Sequence, residues 1–143
     1  MPTAITPGRK FMGRLTKGDD LLAALNAVCR AQSITLGEVQ AIGAVSRARF
    51  GYYDQRERKY EFLELNESLE ILSLVGNISL KDGEPMVHAH VTLADEQGRA
   101  FGGHLAEGTQ VFACEFALQE YMSFRTFHRN LDDATGLFLW PAE

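Results

Sequence analysis

A single change of hydrophobic period governs what this chain can become. Leu21, Leu22, Leu25, Val28 and Cys29 recur at helical spacing, which predicts one amphipathic helix over residues 20–31. Asp19 or Asp20 caps it, since a short carboxylate accepts the free N–H groups of a first turn. Beyond residue 36 the apolar pattern alternates instead. Residues 37–45, 48–53, 60–65, 69–80, 87–93, 100–105 and 111–118 read as strands, and residues 10–15 as a strand ahead of the helix. Charged or glycine-containing turns separate them, at 54–59, 81–85, 97–98 and 107–108. Residues 120–129 read as a second, short helix and 137–140 as a last short strand. Runs of strands with one or two helices give an α+β fold with a mainly antiparallel sheet. One helix cannot cover so long a sheet. The sheet must therefore associate with copies of itself or close into a barrel.

The length of 143 residues fits one domain, expected over residues 9–143 behind a flexible N-terminal arm at 1–8. Lys and Arg number 14 against 19 Asp and Glu, a formal charge of −5. That balance counts against broad contact with a phosphate backbone, which needs a basic face. No apolar run approaches the roughly 20 residues of a membrane span, and residues 1–9 carry no leader-like stretch. Cys29 and Cys114 are isolated among apolar residues. They read as core thiols, which suits a cytoplasmic protein and excludes a zinc-finger or disulfide framework.

Chemistry concentrates in the histidines. His88 and His90 stand two apart in a strand, so both point to one face. The tip of the next hairpin, Asp95-Glu96-Gln97-Gly98-Arg99, suits a three-residue loop with Gly98 in the left-handed position. Such a loop pairs 95 with 99, and counting back sets 90 opposite 104. His104 then lies across from His90 and diagonal to His88, about 5 and 7 Å away between Cβ atoms. Three imidazoles so placed can converge on one metal ion, and they suit Zn²⁺, Ni²⁺, Cu²⁺ or Fe²⁺ and not Mg²⁺ or Ca²⁺. Gly102-Gly103 allows close approach of a neighbouring backbone, but it would also allow a bulge that turns His104 away. Glu38, Glu107 and Glu115 are candidates for a fourth ligand or a supporting group. His128, beside Arg125 and Arg129, reads as a surface residue. A cupin also carries H-x-H on a strand, but the glutamate it needs downstream falls here in a turn, as Glu96, and His104 follows too soon.

Several segments together resemble the plants-and-prokaryotes conserved domain, the PPC domain. They are Ala41-Ile42-Gly43-Ala44, Gly51-Tyr52-Tyr53-Asp54, residues 69–78, Asp82-Gly83-Glu84-Pro85, His88-Ala89-His90 and Gly102-Gly103-His104-Leu105. The resemblance implies a homotrimer assembled through sheet surfaces, and a metal, usually zinc, on the three histidines. In plants the domain follows AT-hook segments that contact A·T-rich DNA. This chain has no Arg-Gly-Arg-Pro core, and the plant partner motif survives only as Glu70, Ile71 and Leu72.

Arg47 and Arg49 share a strand face near Tyr52 and Tyr53, in the densest basic stretch of the chain. Grouped by a trimer, they would attract a small anionic ligand. Phe112, Phe116, Tyr121, Phe124 and Phe127 read as core or subunit interface. The expected function is a metal-binding homotrimeric module for a ligand or partner. DNA-binding regulation, as the family is often labelled, and metal-dependent hydrolase or lyase chemistry are the alternatives.

Overall fold

In a computed structural model, which describes residues 2–142, the change of period becomes a change of layer. Strand β1 (Thr6–Leu15) leads into helix α1 (Leu21–Ala31), and all later elements are strands. These are β2 (Gly37–Asp54), β3 (Lys59–Leu65), β4 (Leu69–Lys81), β5 (Glu84–Ala94), β6 (Ala100–Leu105), β7 (Gln110–Met122), β8 (Asn130–Asp132) and β9 (Leu137–Leu139). Asp20 caps the helix: its Oδ1 accepts from the Ala23 N–H at 2.9 Å. Its Oδ2 accepts from Gly108 N–H at 2.6 Å, tying the helix start to the turn before β7. Leu21, Leu25 and Cys29 form the buried stripe of the helix and meet the inner face of the sheet, including Val39, Ala89 and Val91. Asn26 adds a polar tie, accepting from Val87 N–H of β5 at 2.8 Å.

The large sheet runs β1-β7-β2-β4-β5-β6, with β3 on β2, and every named pairing in it is antiparallel. The two segments expected at 37–45 and 48–53 are one 18-residue strand. Its first half pairs with β4 and β7 and its second with β3. Phe50 and Gly51 also pair with Leu105 and His104 of β6. That contact rolls β2, β4, β5 and β6 into a partly closed barrel, with Phe50, Leu74, Val91, Leu93 and Leu105 buried inside.

Three expectations need revision. Residues 120–129 are not helical. β7 runs on to Met122 because Thr6 and Pro7 of β1 pair with it and Tyr121 N–H donates to Leu36 O, which gives its backbone partners that a helix would break. β1 begins at Thr6, so residues 6–8 of the expected arm join the sheet. The last strand is paired by one not foreseen: β8 and β9 form a small separate hairpin. Cys29 and Cys114 are free thiols, fully buried, as read from their neighbours. No helix among the described residues is long and apolar enough to cross a membrane.

Because Asp20 caps the helix and also holds the Gly108 turn, Asp20→Ala is expected to cost about 1–2 kcal/mol in urea unfolding, and Asp20→Asn less.

Candidate metal centre

The β5–β6 hairpin decides the site. Asp95 Oδ1 accepts from the backbone N–H of Gln97 and Arg99 at 3.0 and 2.9 Å, and its Oδ2 meets Arg99 Nε at 2.7 Å. Gly98 takes the left-handed position at φ 76°. From this tip the register runs without interruption through Ala94↔Ala100 to His90↔His104. The bulge that Gly102-Gly103 could have formed does not occur. Their use is closeness instead: a Cβ on Gly103 would lie 2.5 Å from Gly51 O, and one on Gly102 2.0 Å from Val91 O. Only glycine lets β6 sit this tightly between β5 and β2.

Alternation then puts His88, His90 and His104 on the outer face of the barrel. Their ring centroids stand 5.5, 5.0 and 5.7 Å apart for the pairs 88–90, 88–104 and 90–104. One nitrogen from each lies within 4.8 Å of the others. A tetrahedral ion bound at about 2.05 Å would ask for nitrogens about 3.3 Å apart, so the rings would have to draw closer to hold one. Two further observations fit a metal. Nδ1 of His104 is buried with no hydrogen-bond partner, an expense that ligation through that atom would remove. Burial, aided by Arg129 and the other two imidazoles, pulls His88 down to about 4; burial, His90 and Arg129 do the same for His104. Both rings are therefore neutral at physiological pH and keep a lone pair for a cation.

Glu38, Glu107 and Glu115 do not join the group, which consists of the three histidines alone among the described residues. His128 is exposed and stands apart from it. Arg47 and Arg49 are brought together, but onto Glu64, at 3.0 and 3.2 Å. A row of rings links them to the centre. The Arg49 guanidinium lies 4.0 Å over Phe62, Phe62 stacks on Tyr60 at 5.8 Å, and Tyr60 lies 4.7 Å from His104.

Beside the histidines opens a cavity of about 370 Å³, which sequence reading missed. Its floor includes His88, His104, Tyr60 and Met86, and the β8–β9 hairpin supplies one wall through residues 136–139. Arg129 lines it too, although the residue is only 6% exposed. Its Nε donates to Ser79 Oγ at 3.0 Å, its Nη1 to Phe138 O at 3.2 Å, and its Nη2 to Asn77 Oδ1. Trp140 Nε1 donates to the same Ser79 oxygen at 3.0 Å. Asn77 is the β4 partner of His88 and shares its face, so counting registers from His88 reaches Asn77. Nothing in the sequence signals that Arg129 folds back over it.

The family described as the Plants and Prokaryotes Conserved (PCC) domain matches residues 3–122. The crystal structure of the metal-containing protein AF0104 from Archaeoglobus fulgidus superposes with a TM-score of 0.93 at 40% identity, covering 99% of each chain. A plant- and prokaryote-conserved (PPC) protein from Pyrococcus horikoshii gives 0.94 at 36% identity, covering 100% of this chain and 98% of that one. A Bacteroides thetaiotaomicron protein described as a candidate DNA-binding protein gives 0.85 at 25% identity, covering 96% of each. The bifunctional protein GlmU of Synechococcus sp. (strain JA-3-3Ab) is 40% identical over 130 residues, 90% of this chain. The chain spans about a fifth of the length of the curated relatives it matches.

The histidine environment sets a pH dependence. An unfolded histidine titrates near 6.5, whereas His88 and His104 titrate near 4 in the fold. Between those values the unfolded chain binds protons that the folded one refuses, so stability falls as pH drops through that window. Urea midpoints of chelator-treated protein are expected to decline steadily from pH 6.5 to 4.5. A flat midpoint over that range would contradict this account of the site.

Proposed function

The chain belongs to the Plants and Prokaryotes Conserved (PCC) domain family, and from that premise we propose that it is a homotrimeric module built round a three-histidine transition-metal centre. The observation that carries the reading is the convergence of three imidazoles, each with a ring nitrogen within 4.8 Å of the others; the Nδ1 of His104 is in addition buried without a hydrogen-bond partner. His88, His90 and His104 would hold the ion. Three imidazole donors select a borderline metal over Mg²⁺ or Ca²⁺, and zinc is the ion we assign. A three-ligand ion keeps a position for an outside ligand, and the chemistry it would supply there is that of a Lewis acid. The metal-containing relative from Archaeoglobus fulgidus supports the same reading.

The trimer rests on the uncovered face of the sheet. Met12, Ile42 and Val75 are 87, 59 and 58% exposed and line an apolar hollow of about 640 Å³. Apolar surface grouped in this way marks an association site. The description of a relative as DNA-binding is not carried over to this chain. Arg47 and Arg49 share Glu64, Lys59 is paired with Glu61 at 2.9 Å, and three chains together would carry three times −5, or −15.

Purified protein is expected to hold about one transition-metal ion per chain and to run at about three times its 15.9 kDa mass. His88→Ala and His104→Ala should lose the ion. Equal, near-zero metal in wild type and both variants would sink the metal claim, and a monomeric mass would sink the trimer. On immobilised duplex DNA no salt-dependent retention is expected; retention at low salt that fades as salt rises would restore the DNA reading.

A further inference from the structure

The cavity beside the histidines has a charge that the rest of the chain does not share. Arg58, Lys59, Lys81 and Arg129 line it, and no aspartate or glutamate does among the described residues. This is a wall of cations in a chain of formal charge −5. Three of the four have work elsewhere. Lys59 pairs with Glu61. Arg58 donates to the carbonyl oxygens of Asp133 and Ala134, both at 3.1 Å, and so holds the β8–β9 turn. The Lys81 ammonium lies 3.9 Å over the Phe138 ring.

Arg129 differs from them. It is 94% buried, since 6% of it is exposed, and its three hydrogen bonds go to a hydroxyl, an amide oxygen and a carbonyl, all neutral. No carboxylate partner is recorded for it among the described residues. A buried guanidinium without a counter-ion costs several kcal/mol of desolvation, by general estimate. Its hydrogen bonds use three of the five N–H donors, and two remain for a ligand. The fixed fork of an arginine suits the two oxygens of one oxyanion. The remaining lining is apolar or aromatic: Met86, Leu137, Phe138, Leu139 and Tyr60. About 370 Å³ admits a small organic molecule and no polymer.

We propose that this cavity is the binding site of a small organic oxyanion, a carboxylate or a phosphate monoester with a short apolar body, whose charged end is held by Arg129 next to the metal-binding histidines. The proposal deepens the metal-centre reading, because it names what comes to that centre. The anion site itself is made by Arg129 and does not need the ion to exist. Aliphatic or aromatic surface of the ligand would lie against Met86, Leu137 and Phe138. The acidic surface elsewhere would repel such a ligand, so the basic wall is where it collects.

The chain carries its own reporter. Trp140, the single tryptophan, lies 5.3 Å from the Arg129 guanidinium and shares the Ser79 hydroxyl with it. The test titrates isobutyrate, its neutral isostere isobutyramide, and inorganic phosphate at constant ionic strength, reading Trp140 emission and melting temperature. Each runs on metal-loaded and on chelator-treated protein. Isobutyrate or phosphate is expected to change the emission saturably and raise the melting temperature in both forms, and isobutyramide to do neither. Whichever of the two acts at lower concentration identifies the oxyanion as carboxylate or phosphate. Arg129→Gln is expected to weaken the response about tenfold or more, in the chelator-treated protein as in the metal-loaded one. Arg129→Lys, which keeps the charge but not the fork, should fall between. If Arg129→Gln does not fold, the lysine variant and the acid-versus-amide comparison decide the matter. An equal response to acid and amide, no response to either oxyanion, or a response that needs the metal and ignores both Arg129 variants would overturn the proposal. A protein that binds the oxyanion through Arg129 but takes up no metal would overturn the metal reading alone.

Discussion

The opposition of His90 and His104 across β5 and β6 is the constraint on which the site depends. It is fixed at both ends of a short ladder. At one end Asp95 gathers the backbone of the turn, and Gly98 provides the left-handed residue that closes it. At the other, two glycines let β6 press against β5 and the far half of β2. A slip of one residue would turn His104 into the barrel and an apolar neighbour out of it. The three imidazoles thus inherit their placement from backbone pairing.

Closure of the barrel then divides the labour between the two faces of the sheet. The inner face takes the aliphatic side chains and, at α1, its cover. The outer face carries everything polar that is not simply solvated: the three imidazoles, Asn77 and Ser79, and the aromatic row through Tyr60 and Phe62. Because the histidines sit on the outside, the neutrality of His88 and His104 has to come from local cover. Burial supplies most of it, and the positive charge of Arg129 adds to it. The same arginine therefore serves the centre twice. It discourages protons on the donors and lies where an anion would approach them.

Much of this was legible in the residues, for reasons that can be located. Helix α1 announces itself by its apolar spacing and its aspartate cap, and its core stripe lies where that spacing puts it. The histidine triad could be found because antiparallel register is arithmetic once the turn is known, and Asp95 to Arg99 is a turn whose chemistry is local. Residues 120–129 failed for the opposite reason. Their pattern is compatible with a helix; the pairing of Tyr121 and Met122 with β1 makes the first of them strand, and residues 123–129 follow as irregular chain. Arg129 was illegible in a deeper sense. Its partners, Asn77 and Ser79, lie about fifty positions earlier in the chain. Local composition carries no trace of so long a return. Gly51 is an intermediate case: its position opposite both Phe62 and His104 follows from two registers, only one of which the turns make plain.

The stretch matched to the family ends at residue 122, while Arg129, Phe138 and Trp140 come after it. The donors of the centre and the groups that form the far wall of its cavity therefore belong to different parts of the chain. They meet because Tyr53, Arg58, Asn77, Ser79 and Leu80 hold the tail by its backbone or its side chains. Substitutions in the tail can therefore alter what the cavity admits while the strand register that gathers the histidines stays as it is.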